Sequence, residues 1–210
     1  MARHIASDGG GNGRRDPCPH LSSETTPVIV CDYDEEWPKL FREIADPIRL
    51  ALSDIVVAVE HVGSTGVPGL AAKPVIDVDV VVHSAEEVPL AIERLRGLGY
   101  VYQGDKGIAG REAFLWPSRS PVHHLYVVVA GSKPLADHIH FRDYLRTDPQ
   151  AAREYGELKR ALADEHRNDR EGYAGAKDNF ICEALARLRA TSASSTYQRL
   201  RDSVGYDFTR

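Results

Sequence analysis

One run of the sequence, Val75 to Val82, constrains the fold more than any other. It carries Asp77 and Asp79 within an otherwise β-branched, apolar stretch. Such a stretch predicts a central strand, and side chains alternate between the faces of a strand, so both carboxylates project from one face. Neighbouring carboxylates repel, and a divalent cation with oxygen ligands relieves the repulsion. The run therefore predicts a metal-binding patch; plain exposed acids on a sheet face are the alternative.

Length and composition indicate one globular domain. The chain has 210 residues, of which 42% are hydrophobic and 27% charged, which is close to the average for globular proteins. Residues 1–27 are rich in Gly, Ser, Asp and Arg and predict a disordered or loosely held tail. Residues 28–190 predict the folded domain, and residues 191–210, rich in Ser and Arg, a second tail.

Charge and hydropathy limit the expected partners. The net charge of −5 and the pI of about 6.0 disfavour nucleic acid and anionic membranes, which normally require a basic footprint. No run approaches the roughly 18 apolar residues of a membrane helix, and the first residues lack the apolar core of a signal peptide. We therefore expect a cytoplasmic protein with a small-molecule partner; the oligomeric state stays open.

Periodicity predicts an α+β fold, with a mixed β-sheet in the first two thirds, flanked by helices, and a helical last third. The predicted strands are Val28–Val30, Ile55–Val62, Val75–Val82, Tyr100–Tyr102, Ala113–Trp116 and His123–Val129. The predicted helices are Trp37–Leu52, Glu86–Leu98, Leu135–Leu145, Pro149–Ala163 and Phe180–Leu188. The polar segment from Asn168 to Gly175 predicts a loop, and His138 and His140 are expected at the surface of their helix.

A turn of small residues precedes the acidic strand. Gly63, Ser64 and Thr65 follow a predicted strand, where backbone amides and a hydroxyl can approach a phosphate. Lys73 lies shortly before the acids and can neutralise a triphosphate. A P-loop is excluded, because it requires four residues between its first Gly and Gly-Lys-Ser/Thr, whereas Gly69 lies one residue too far from Gly63 and is followed by Leu70. The turn predicts a phosphate site beside Asp77.

A Gly-Ser turn followed about a dozen residues later by Asp-X-Asp on a strand resembles the signature of the nucleotidyltransferase (polymerase-β-like) superfamily. The resemblance implies that Gly63 and Ser64 hold phosphates and that Asp77 and Asp79 hold Mg²⁺ or Mn²⁺. It further implies an NTP substrate, with ATP as the expected one.

Longer motifs resemble the GrpB family (UPF0157-like), which is also found fused to dephospho-CoA kinase. The resemblance covers about Val28 to Leu188 and implies a nucleotidyltransferase-like fold. The motifs that carry it are Glu60–Thr65, Pro68–Asp77, His123–Leu125, Phe141–Arg146, Tyr155 with Leu158–Lys159, and Lys177 with Phe180–Ile181.

Two departures bear on the chemistry. Nucleotidyltransferases normally supply a third acid from a later strand, whereas the strand His123–Val129 holds no Asp or Glu, so His124 is the expected third metal ligand or a proton carrier. The family pattern His-Leu-His has Tyr126 in its last place here. Arg142, Arg146 and Lys159 are candidate phosphate ligands, with surface ion pairs as the alternative.

The expected function is transfer of a nucleoside monophosphate from an NTP to a small-molecule acceptor. Asp77, Asp79, His124 and Lys73 would carry the chemistry. Two alternatives stay open: a catalytically inactive nucleotide- or cofactor-binding module, and a ligase-type activity that forms an acyl-adenylate on the way to an amide.

Overall fold

The computed structural model describes residues 27–117 and 121–204, with side chains described as far as residue 191. The predicted N-terminal tail, residues 1–27, therefore lies almost entirely outside the described residues. The described residues form five α-helices and one five-stranded sheet. Among them, no helix combines the length and the apolar character needed to cross a membrane.

The sheet is mixed, as predicted. Its strands are β1 (Val56–Val62), β2 (Ile76–Val82), β3 (Val101–Tyr102), β4 (Arg111–Leu115) and β5 (His123–Val129). They lie in the order β1-β2-β5-β4-β3, in which β2 pairs in parallel with β5 while the other pairs are antiparallel. The acidic strand β2 is thus interior, which confirms the prediction drawn from its apolar run.

One face of the sheet forms the main hydrophobic core. Ile76, Val78 and Val80 of β2 point into this core, and each is at most 2% exposed. The helices α1 (Trp37–Ala51) and α2 (Val88–Gly97) supply residues such as Ile48 and Leu95 to the same cluster. Because side chains alternate along β2, Asp77 and Asp79 must face away from this core.

The last third is helical, as predicted. Its helices are α3 (Lys133–Thr147), α4 (Pro149–Glu165) and α5 (Arg170–Val204). The boundary between α3 and α4 is a single residue, Asp148, whose carboxylate accepts hydrogen bonds from the amides of Gln150 and Ala151 at 3.0 Å each. Helix α5 runs past the boundary predicted at residue 190.

Two predictions about local structure are wrong. Residues Val28–Val30 form no strand, and the nearest β-pairing is an isolated bridge between Cys31 and Ala72. Val28 instead packs in a cluster with Leu162 and Tyr173. The polar loop predicted over Asn168–Gly175 is helical from Arg170 onward. The carboxylate of Asp169 accepts a hydrogen bond from the Gly172 amide at 2.9 Å, and this helix start has too few apolar residues to show a helical period.

Candidate functional site

The second face of the sheet is polar. Cross-strand register places Asp77 of β2 beside His124 of β5, and Asp79 beside Glu60 of β1 and Tyr126 of β5. Paired residues project on the same side of a sheet, so these groups share one surface, which we call the polar face. Helix α3 packs against β1 and β5. The acids predicted from strand alternation are therefore gathered with groups from both neighbouring strands.

Asp77 and His124 form the more open of two acid–histidine pairs. Nδ1 of His124 lies 2.9 Å from Oδ1 of Asp77, and the side chains are 53% and 30% exposed. Burial raises the pKa of Asp77, but the hydrogen bond and charge of His124 outweigh it and hold that pKa below its usual value. An ionised carboxylate only accepts, so Nδ1 of His124 donates to it, and in the neutral imidazole Nε2 then carries the lone pair.

The second pair, Asp79 and His138, is more enclosed, because its carboxylate is buried although the histidine is 31% exposed. Nδ1 of His138 on α3 lies 2.7 Å from Oδ2 of Asp79, whose side chain is fully buried. Burial raises the pKa of Asp79, against the opposing effect of His138. Burial also acts to lower the pKa of His138, but the hydrogen bond and charge of Asp79 outweigh it, so that pKa is raised. His138 was expected at the surface of its helix; the structure leaves it partly exposed but turns its ring onto the polar face.

The turn after β1 packs directly on Asp77. Gly63 has φ of +68°, and a Cβ built on it would lie 2.2 Å from Oδ2 of Asp77. Ser64 and Thr65 follow in a short 3-10 helix, Ser64–Gly66. The Thr65 hydroxyl is buried and donates to the Val75 carbonyl at 3.2 Å. Its hydroxyl thus ties the turn to the segment before β2.

His61, at the end of β1, contacts the same turn through Thr65. Its Nε2 lies 3.0 Å from Oγ1 of Thr65, and its ring stacks on Phe41 with 4.6 Å between the centroids. Burial lowers the pKa of His61 to about 4. The imidazole is therefore neutral at pH 7, as stacking within an apolar contact requires.

Beside Asp77 the polar face opens into a cavity of about 210 Å³. Four basic side chains line it, and we call it the basic cavity. They are Lys73 from the loop before β2, Lys159 from α4, and Arg170 and Lys177 from α5. Ser64, Thr65, Asp77, His124 and Tyr173 complete the polar lining. The structure thus brings together the predicted Ser64, Thr65, Lys73, Asp77 and His124.

Two predicted phosphate ligands lie elsewhere. Nη1 of Arg142 lies 2.7 Å from the Glu60 carboxylate, and Nε of Arg142 lies 2.7 Å from Asp143. Arg146 donates to the Gly66 carbonyl through Nε at 2.9 Å and Nη2 at 2.6 Å. Neither arginine lines the basic cavity. The pairing partly matches the alternative of ion pairs, and a role in phosphate binding stays a prediction.

The donor set suits a metal that takes most of its ligands from elsewhere. Within the described residues, no group of three or more His, Cys, Asp or Glu side chains is placed to hold a metal ion. However, Oδ1 of Asp79 is buried without a hydrogen-bond partner. Mg²⁺ is commonly bound by one or two carboxylates together with water and substrate phosphates. Asp77 and Asp79 fit that pattern, whereas His124 already donates to Asp77.

Three residues of the site were not predicted from the sequence. His138 was not predicted because helical spacing does not show which helix crosses the polar face. Arg170 and Tyr173 were not predicted because they lie in the segment predicted as a loop. The one available signal was the motif residue Lys177, seven positions after Arg170, since two helical turns bring both to the same face.

Comparisons with known proteins agree with the resemblance. The family model described as "GrpB protein" matches residues 27–187. UPF0157 protein YqkA of Bacillus subtilis is 37% identical over 154 residues, which are 73% of this chain and 45% of that relative. Glutamate-rich protein GrpB of Alkalihalophilus pseudofirmus is 33% identical over 163 residues, 75% of this chain and 94% of that relative.

A solved structure gives the same result. The crystal structure of conserved protein GrpB from Enterococcus faecalis matches with a TM-score of 0.67 and 35% identity. The match covers 76% of this chain and 99% of that one. By contrast, the chain spans less than half the length of YqkA. Family model, relatives and structure agree, and the chain belongs to the GrpB family.

Proposed function

We propose that this chain is a metal-dependent, nucleotidyltransferase-like enzyme that transfers a nucleoside monophosphate from an NTP to a small-molecule acceptor. One observation carries the proposal: Asp77 stands at the junction between an acidic pair on a strand and a cavity lined by four basic side chains. Phosphoryl-type transfer needs both parts together, since a divalent ion must contact the protein and the phosphates at once.

The basic cavity is the expected seat of the terminal phosphates. Lys73, Arg170 and Lys177 supply charge, and the Gly63–Ser64 turn lets backbone approach closely because Gly63 has no side chain. These contacts would orient the NTP so that its α-phosphorus lies toward the acids. Positioning and charge stabilisation supply most of the rate in this class of reaction.

Asp77 and Asp79 would hold Mg²⁺ or Mn²⁺. The unpartnered Oδ1 of Asp79 is the observation that supports this fit, since a buried lone pair without a donor is costly unless a cation uses it. When bound, the ion would offset the negative charge that develops on the phosphates. His138 keeps the other oxygen of Asp79 occupied and so orients this carboxylate.

His124 would move a proton. Its Nδ1 donates to Asp77, so in the neutral ring the lone pair of Nε2 is free to accept a proton from an acceptor hydroxyl. The ring lines the basic cavity and is half exposed. In this assignment His124 acts as a general base, held by Asp77 in one orientation.

The test is label transfer from α-labelled ATP, CTP, GTP and UTP, offered with Mg²⁺ and pools of small hydroxyl and carboxyl compounds. We expect transfer with release of pyrophosphate, and a loss of about 10²-fold or more in the double variant Asp77→Asn with Asp79→Asn. Asp164→Asn on α4, outside the site, is the matched control and should keep full activity.

Two results would contradict the proposal. Transfer that survives the double change undiminished would place the metal elsewhere. Binding of nucleotide without any transfer, equally with and without Mg²⁺, would favour the inactive binding module. Hydroxylamine added to the same reactions traps an acyl-adenylate and would identify the ligase-type activity.

A further inference from the structure

The basic cavity carries more positive charge than its surroundings balance. Four basic side chains face one carboxylate, Asp77, which leaves an excess of three positive charges when all four are protonated. Among the described residues, none of Lys73, Arg170 and Lys177 makes an ion pair with a carboxylate. Nε of Arg170 is buried without a hydrogen-bond partner. Crowded like charges of this kind indicate a site built for an anion.

Lys159 is the most deeply placed of the four. Its side chain is 2% exposed, its ammonium or amine donates to the Ala71 carbonyl, and Nζ lies 4.6 Å from the centroid of the Tyr155 ring. Burial, followed by the charges of Lys177 and Arg160, lowers the pKa of Lys159 to about 7. A neutral amine still donates to the carbonyl of Ala71, so the empty cavity tolerates loss of the proton.

We propose that the basic cavity takes a polyphosphate group and that Lys159 takes up a proton as this anion binds. The inference rests on the proposed function and names how its phosphate site becomes charged. The proton comes from solvent and adds to the lone pair of Nζ; no other bond forms or breaks. A highly charged anion reverses the local potential, and the ammonium then becomes the favoured form of Lys159.

The balance at Lys159 depends on groups from every element around the cavity. The titratable and charged side chains that face it are Lys73, Asp77, His124, Tyr155, Arg160, Arg170, Tyr173 and Lys177. Burial also lowers the pKa of Lys73 and of Lys177. Among these side chains, Asp77 is the one carboxylate, and its charge acts to raise the pKa of Lys159. A monoanion would leave the cavity positively charged, whereas a polyphosphate compensates the whole excess, so we expect selection by ligand charge.

The experiment is titration calorimetry of the full chain with ATP at pH 8, without divalent metal, in HEPES and in Tris. These buffers have different ionisation enthalpies, and the triphosphate of ATP has lost almost all of its last proton at this pH. The difference in heat therefore counts protons taken up by the protein. We expect between about half and one proton per anion, and an affinity that falls by up to about tenfold per pH unit between pH 7 and 9.

Variants identify the group. Lys159→Arg keeps a permanent charge, so ATP should bind with much smaller uptake and a flatter pH dependence. Lys159→Met should weaken binding and also remove the uptake. Lys39→Arg, at an exposed position of α1, is the matched control. This variant should behave as the unmodified chain.

Three outcomes overturn the inference: no ATP binding, binding without proton uptake in the unmodified chain, or undiminished uptake in both Lys159 variants. The unmodified chain alone decides the first two, so the inference stays testable even where a variant misfolds. Label transfer without proton uptake would overturn this inference and leave the proposed function standing. Proton uptake without label transfer would overturn the proposed function and leave this inference standing.

Discussion

At the scale of single residues, Gly63 and Asp77 show how closely the turn must approach the acid. The built Cβ of Gly63 would lie 2.2 Å from Asp77 Oδ2, and its φ of +68° with ψ of −171° belongs to a region that only glycine adopts readily. Two independent constraints therefore require glycine here. The turn and the carboxylate form one packed unit.

We expect Gly63→Ala to destabilise the fold by more than the roughly 1 to 3 kcal/mol of backbone strain alone, because Asp77 must also move. Gly69→Ala is the matched control, since Gly69 has φ of +78° and nothing within 4 Å of a built Cβ. Urea unfolding of both variants gives the comparison. Equal losses in the two variants would mean that the contact with Asp77 costs nothing.

The sequence allowed some of these residues to be predicted. Strand alternation placed Asp77 and Asp79 on one face, and the small residues at Gly63–Ser64 indicated a close approach. It did not allow the partner of Asp79 to be predicted, because His138 comes from a helix 59 residues later, and a helical period does not show where a helix crosses the sheet.

At the scale of elements, Asp148 serves two helices. It follows the last residue of α3, and its carboxylate caps α4 through the amides of Gln150 and Ala151. Unpaired amides at a helix start are costly, and a capping oxygen satisfies them. Because α4 also carries Lys159, the cap stabilises the helix that supplies the most buried side chain of the basic cavity.

We expect Asp148→Ala to lower the free energy of unfolding by about 1 kcal/mol, within the usual range of roughly 0.5–2 for a lost cap. Asp148→Asn retains an acceptor oxygen and should lose much less. Thermal or urea unfolding measures both. A loss in Asp148→Asn as large as that in Asp148→Ala would assign the stabilisation to charge and not to the cap.

Elements were predictable where a pattern spans many residues. Strand β5 was predicted with its observed bounds, His123–Val129, because its β-branched end, Val127–Val129, runs into the turn at Gly131. The prediction of a strand at Val28–Val30 was wrong because a β-branched run forms a strand only where the edge of a sheet is available to pair with it. The start of α5 was not predicted because this part of the helix presents polar groups to the basic cavity and to solvent. Its sequence therefore shows no apolar stripe.

At the scale of the whole molecule, the buried lysine links stability to pH. The pKa of Lys159 is lowered to about 7 from an ordinary value of 10.5. Between these two values the unfolded chain binds more protons than the folded one, so stability rises with pH in that window. Below pH 7 both forms hold the proton, and the cost of burying the charge is fully present.

We therefore expect the stability of the unliganded chain to rise between pH 7 and 9, by at most about 1.4 kcal/mol per pH unit from one group. Lys159→Met should flatten this rise, whereas Lys39→Met, at an exposed site, should leave it unchanged. Urea unfolding at half-unit pH steps is the measurement. A rise that is identical in Lys159→Met would place its origin in Lys73 or Lys177.

The α+β class and the order of sheet before helices followed from periodicity along the chain. The basic cavity did not, because its charges come from a loop and from two helices that converge only in three dimensions. Charge counted along the sequence is negative, −5 overall, and hides this local positive region.

The contacts of the site join positions far apart along the chain. Asp77 and His124 are 47 residues apart, and Lys159 lies 88 residues from Ala71. Closing such long loops costs entropy, so we expect the site to form late in folding. A chain with its sheet formed and its last helices undocked would show the acids without Lys159, Arg170 and Lys177 and would bind polyphosphate poorly. The anion would then bind only the fully folded chain. At concentrations above its Kd, it would therefore stabilise the docked state of the last third of the chain by mass action.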